Sequence, residues 1–151
     1  MNLSNVVIVL DHPDESRNIG AACRAMANNG ISLLRIVGKK EAYDIEHIHT
    51  LAIHAKDIFD HAQFFSSITE ATKDCSMSAG TTRRRGKKRG ILLLPEEFAI
   101  QADSITQSSG KVAIVFGTTK YFSSEPSKFL TFSDSFVKSL NSSNSTFVSN
   151  V

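Results

Sequence analysis

The feature that most constrains this chain is a pair of short apolar runs, residues 5–10 (NVVIVL) and 31–37 (ISLLRIV), separated by one helical period. A continuous β-branched run of that length suits a strand buried on both faces, and Asp11, His12 and Pro13 end the first one in a loop. Between the runs, Ile19, Ala22, Cys23 and Met26 recur at helical spacing, which predicts a helix capped by Ser16 or Asn18. Asn28, Asn29 and Gly30 stop it, because both residue types tolerate a left-handed backbone. Strand, helix and strand within residues 5–37 force a parallel pairing through a right-handed crossover.

The same alternation continues. Periodicity predicts a helix over 45–59, a short helix over 67–75 and a short strand end over 76–80. Pro95, Glu96 and Glu97 open another helix, with proline in the first turn and carboxylates at its positive end. Residues 111–116 (KVAIVF) form a further buried strand closed by Gly117. The expected fold class is α/β, a mainly parallel sheet with helices on both faces, in one domain spanning 1–151. From 123 to 151, ten of 29 residues are serine, so that stretch reads as a polar helical ending or a poorly ordered tail.

Charge is localised. The net charge is +2, but residues 83–89 (RRRGKKR) carry six basic side chains, and removing those six leaves the remainder at −4. One basic loop on an acidic body suits contact with phosphate. Two cysteines make no disulfide scaffold or zinc site, and Cys23 falls on the buried face of its helix. His47, His54 and His61 recur every seven residues without the ligand company a metal needs, so no metal is expected. No apolar run reaches a membrane span, and the first residues lack a basic leader, so the expected compartment is the cytoplasm.

Three segments carry chemistry. Residues 18–26 (NIGAACRAM) place small residues in the first helical turns and Arg24 on the next. Gly80–Arg85 (GTTRRR) follows a strand end, where open α/β sheets bind ligands. Val112–Gly117 delivers a glycine at another strand's carboxyl end. In this order the segments resemble the SpoU/TrmH family of RNA ribose 2′-O-methyltransferases, in the SPOUT superfamily, nearest its bacterial branch acting on the tRNA anticodon loop. The matching residues are Asn18–Met26 for N-x-G-x-x-x-R-A-M, Gly80–Arg84 for G-T-[ST]-x-R, Val115–Gly117 for V-F-G and Ser139-Leu140-Asn141 for S-L-N.

The resemblance implies a C-terminal trefoil knot, S-adenosylmethionine as cofactor, and a homodimer whose active site uses both subunits. It implies that Arg24 is catalytic and that Asn141 supports the catalytic end. Thr81, Thr82, Gly117, Ser139 and Leu140 would line the methyl-donor pocket, while Arg83, Arg84, Arg85, Lys87, Lys88 and Arg89 would hold RNA, tRNA before rRNA. Arginine is a poor general base because its ordinary pKa exceeds about 12, so its suitable role is stabilising the oxygen that attacks the methyl group. The family's F-G-x-E-x-x-G-L motif reads here FGTTKYF (116–122), with Thr119 at the glutamate position. That departure sets the alternative, a shortened or catalytically inactive RNA-binding relative.

Overall fold

The structure, a computed structural model, describes residues 1–81, 92–117 and 130–132. Seven parallel strands among these residues form one sheet. They are β1 (Val6–Asp11), β2 (Leu33–Val37), β3 (Gln63–Phe65), β4 (Met77–Thr81), β5 (Leu92–Leu93), β6 (Val112–Gly117) and β7 (Leu130–Phe132), in the order β3-β2-β1-β6-β4-β7-β5. The expected runs at 5–10, 31–37, 76–80 and 111–116 all appear as strands. Three others were not expected: β3, β5 and β7 have two or three residues each, too short for any periodicity to show.

The helices are α1 (Ser16–Asn28), α2 (Ile45–Ala52), α3 (Lys56–Asp60), α4 (Ile68–Ala71) and α5 (Pro95–Gln107). The first starts differently from the sequence reading. Glu15 occupies the cap position without a side-chain bond, and Ser16 Oγ instead accepts the Asp44 amide at 2.9 Å. Asp44 in turn caps α2 by accepting the His47 amide at 3.0 Å. The expected continuous helix over 45–59 is broken: Ile53 has φ +53°, which a β-branched residue rarely takes, and a 3-10 turn (Ile53–Ala55) separates α2 from α3. The break lets Ile48 and Ala52 before it, and Ala55 and Phe59 after it, face one core. It also ends the common face that His47, His54 and His61 would have shared.

The layers are uneven. Side chains at Val6, Ile8 and Leu10 meet α1, α2 and α3 through Ile19, Cys23, Met26, Ile48 and Phe59. Further along the same face, Met77, Ala79 and Val112 bury against Phe98 and Ala102 of α5. On the opposite face, Val7, Val9, Ala113 and Val115 pack with Ile68 and Ala71 of the four-residue α4. Both faces of β1 are buried, as a continuous apolar run requires.

Candidate active site at the carboxyl edge of the sheet

Parallel pairing brings the chemistry-bearing strand ends level. Asp11 pairs in register with Gly117 on one side and Val37 on the other. Gly80 pairs with Thr131 and Val115, and Thr81 with Phe132, so β4, β6 and β7 end at the same edge as β1. From β1 the chain steps outward to β2 and β3, whereas β4, β6 and β7 lie on its other side. The β1–β6 junction is therefore a point where strand order reverses, and ligands of open α/β sheets bind beyond the carboxyl ends at such points.

At that junction lies a pair that the motif reading did not single out. The Asp11 side chain is 1% exposed, and its Oδ1 lies 2.7 Å from His12 Nδ1. A carboxylate only accepts, so Nδ1 carries the hydrogen and the neutral ring keeps its lone pair on Nε2. Among the described residues, Oδ2 has no hydrogen-bond partner. Leaving a buried acceptor unmatched costs about 1–3 kcal/mol, so the position is not one that folding alone would favour. His12 has φ +46° and donates its amide to Val37 O at 3.0 Å, and its ring is half-exposed. The sequence shows only that Asp11 and His12 follow the apolar run 5–10; the neighbour that gives the pair its place, Gly117, is brought there by the fold.

Gly117 stands at the expected edge, and its bare face has a specific neighbour. A Cβ there would lie 2.6 Å from Asp11 Cβ and 3.0 Å from Oδ2. The glycine admits the carboxylate. On the β2 side, the Tyr43 hydroxyl sits where a Gly38 side chain would be, and Gly38 has φ +145°. Burial pushes the Tyr43 phenol up, and the charges of Asp11 and Asp14 push it further, so it remains a neutral donor.

Gly20 in the NIGAACRAM segment also has a structural partner. A Cβ at Gly20 would meet Ile48 O at 2.7 Å and Leu51 Cβ at 2.8 Å, so the small residues of α1 serve close packing on α2. Arg24, one turn further on, is exposed and has no hydrogen-bond or ion-pair partner among the described residues. Cys23 beside it is fully buried, and burial pushes its thiol up to about 12, which removes it as a nucleophile.

The opposite, amino edge holds a different network. Arg35, buried within β2, donates to both carboxylate oxygens of Asp74 and to Ala71 O at 2.6 Å. Lys111 Nζ reaches Asp74 Oδ2 at 2.8 Å. The Arg35 and Lys111 hydrogen bonds hold the Asp74 carboxyl well below the usual carboxylate range. Arg35 also lies over the Phe65 ring at 5.6 Å. This network buries one cation inside an apolar strand by pairing it.

Of the residues singled out in the sequence, Arg24, Gly117 and the Thr81 backbone are described. The structure brings Gly117 and Thr81 to one edge, and α1, which carries Arg24, rises from it. Thr82, Arg83, Arg84, Arg85, Lys87, Lys88, Arg89, Ser139, Leu140 and Asn141 lie outside the described residues, as does the C-terminal stretch apart from Leu130–Phe132.

A parallel α/β sheet with a reversal point at β1–β6, and a motif helix rising from that edge, is the architecture in which open α/β domains place a ligand site. The chain belongs to the SpoU rRNA methylase family, which its residues 5–120 match. It is 35% identical over 112 residues to the tRNA (cytidine-2′-O-)-methyltransferase TrmJ of Methanocaldococcus jannaschii, covering 74% of this chain and 48% of that protein. It is 36% identical over 115 residues to an uncharacterized tRNA/rRNA methyltransferase of Haemophilus influenzae, covering 76% and 46%. A solved structure of a probable methylase family protein from H. influenzae superposes with a TM-score of 0.74 at 31% identity, over 88% of this chain and 55% of that one. TrmJ from Z. mobilis superposes at 0.69 with 25% identity, over 85% and 58%. The chain thus spans about half the length of the curated relatives it matches.

Proposed function

We propose that this chain transfers a methyl group from S-adenosylmethionine to a ribose 2′-hydroxyl of RNA, with tRNA the favoured substrate. The observation that carries the reading is the convergence at one sheet edge of Thr81, Gly117 and the helix bearing Arg24. Support comes from the family match over residues 5–120 and from relatives named as tRNA 2′-O-methyltransferases.

The described edge suits such a donor. Gly80 and Gly117 present backbone rather than bulk, and the buried charge there, Asp11, is negative, which complements a sulfonium cation. In this reading Thr81, Thr82, Gly117, Ser139 and Leu140 hold the donor, which supplies the transferable methyl group. Arg24 presents its guanidinium to the attacking oxygen as negative charge develops, and Asn141 supports that end. Arg83, Arg84, Arg85, Lys87, Lys88 and Arg89 track the RNA backbone through charge and confer little base preference. One domain over 1–151, closed by a C-terminal trefoil knot, working as a homodimer in the cytoplasm completes the reading. No helix among the described residues is long and apolar enough to cross a membrane.

Titration calorimetry with S-adenosylmethionine tests the reading directly, and absence of heat at millimolar donor overturns it. Arg24→Ala is expected to abolish methyl transfer while RNA affinity stays near that of the parent. Neutralising Arg84, Arg85 and Lys87 together is expected to weaken tRNA binding and reduce its salt slope by about three. An unchanged slope would remove the loop from the interface.

A further inference from the structure

We propose that a groove at the amino edge of the sheet holds one nucleotide, with its phosphate at Lys73 and Lys111 and its base edge at Asp57. The groove shares no residue with the proposed methyl-transfer site, so a chain that bound no methyl donor would leave this one intact.

The groove measures about 660 Å³, within the range of small-molecule sites, and straddles the sheet. On one side stands α3, whose Ile58 packs with the cluster that covers Val6, Ile8 and Leu10. On the other stands α4 with the turn after it, on the face where Leu33 and Phe65 pack with Val7 and Val9. The first residues of β2 and β3 run between them, and Leu33, Leu34, Ile58 and Phe65 make the apolar lining.

The charges of the groove differ in what already holds them. Asp74 accepts from Arg35 at both carboxylate oxygens and from Lys111 at Oδ2, so two cations share one anion. The Arg35 side chain is 8% exposed inside a strand. Apolar packing serves stability there at least as well as a buried ion pair, and such a pair set in a cleft points to function. Glu70 Oε2 accepts the Ser66 amide and hydroxyl and so closes its own turn. Lys73 is exposed and forms no ion pair among the described residues. The Asp57 carboxylate has neither ion pair nor hydrogen bond among them; only its backbone carbonyl is engaged, accepting from His61 Nδ1 at 2.8 Å. The α4 side therefore carries a surplus cation and the α3 side a surplus anion.

A complementary ligand is negative at one end, donates hydrogen bonds at the other and has a flat body between them. A nucleoside 5′-phosphate has this form. Its phosphate accepts from ammonium groups, the exocyclic amine of cytosine or adenine donates to a carboxylate, and its ring faces suit aliphatic and aromatic side chains. Gln63, exposed at the start of β3, adds an amide able to donate and accept at the base edge. The same chemistry is offered by a free nucleotide and by an unpaired residue of an RNA chain.

The test is calorimetric titration of the full chain with cytidine 5′-monophosphate, cytidine, ribose 5-phosphate and uridine 5′-monophosphate. The complete cytidine nucleotide is expected to bind about tenfold or more tightly than either of its halves. Uridine monophosphate, which brings a carbonyl instead of an amine to Asp57, is expected to bind about tenfold more weakly than the cytidine nucleotide. Lys73→Ala should weaken both nucleotides about five- to tenfold and leave cytidine unchanged, since it removes a contact to phosphate alone. Asp57→Asn should erase the preference for cytosine over uracil, because an amide can also donate. Both residues are exposed, so the thermal unfolding of each variant should match the parent. Absence of cytidine monophosphate binding by the parent at millimolar concentration overturns the proposal. Ribose 5-phosphate binding as tightly as the nucleotide overturns it too, as a site for anions alone, and so does an affinity that neither substitution changes. Adding tRNA to the nucleotide complex separates the two sources: displacement identifies an unpaired RNA residue as the occupant, and retention identifies a free nucleotide.

Discussion

Replacing Gly20 by alanine should destabilise this protein, although alanine is the better helix former. A Cβ at position 20 meets Leu51 Cβ at 2.8 Å, about 0.7 Å inside the onset of ordinary carbon–carbon contact, and Ile48 O at 2.7 Å. Neither neighbour is the far end of a flexible side chain: one is a β-carbon, the other a backbone carbonyl inside α2. Overpacking of this kind costs about 1–3 kcal/mol, and the gain in helix propensity returns about 1 kcal/mol. The net expectation is a loss of up to about 2 kcal/mol. In urea, at a slope of about 2 kcal/mol per molar, the midpoint should fall by up to roughly one molar with the slope itself unchanged. By thermal unfolding the fall should be about 2–4 °C for each kcal/mol. Equal or greater stability would refute the claim that this glycine sets the α1–α2 distance. Because α1 also carries Arg24, the same variant tests the proposed function too: weakened methyl transfer in it would connect the helix spacing to the proposed site.

Two further outcomes follow from the packing. Asp74→Asn should cost roughly 1–3 kcal/mol at neutral pH, less than for a fully buried pair because Asp74 is 42% exposed, by leaving the buried Arg35 without its anion. The Asp74 carboxyl is depressed in the folded state, so its contribution is complete above the ordinary aspartate range near pH 4 and is lost as pH falls below it; the parent and Asp74→Asn stabilities should converge in acid, and parallel curves would refute the pairing. Of the two cysteines, Cys75 should react with a thiol reagent at pH 8 well before Cys23, whose buried thiol is pushed up to about 12, and fast native labelling of both would contradict the burial.

What the residues revealed in advance depended on the length of the pattern each element carries. The β-branched run before Asp11 and the periodic face of Ile19, Ala22, Cys23 and Met26 announce β1 and α1, since a long element repeats its signal. Gln63–Phe65 and Leu92–Leu93 repeat nothing and become strands only because a sheet edge is there to pair with. Ile53 misled the periodic reading: a helix through it keeps the hydrophobic spacing, but burying Ala55 and Phe59 on the core of Ile48 and Ala52 requires the break. The candidate site divides in the same way. Arg24 and Gly117 belong to extended motifs, whereas the Asp11–His12 pair is recognisable only once β6 is placed beside β1, an arrangement no local window contains.

That arrangement also sets the order in which the molecule can be assembled. Val6 pairs with Val112, so the central strand waits for a partner about a hundred residues away, and closing a loop of that size carries an entropy that grows with its length. During vectorial synthesis β1, α1 and β2 can gather early, but the far side of β1 stays an open strand edge of valine, isoleucine and leucine until β6 leaves the ribosome. For that interval the nascent chain offers an adhesive template to any neighbouring polypeptide. Yield on expression should therefore respond more to the time spent between β2 and β6 than to the stability of the finished fold.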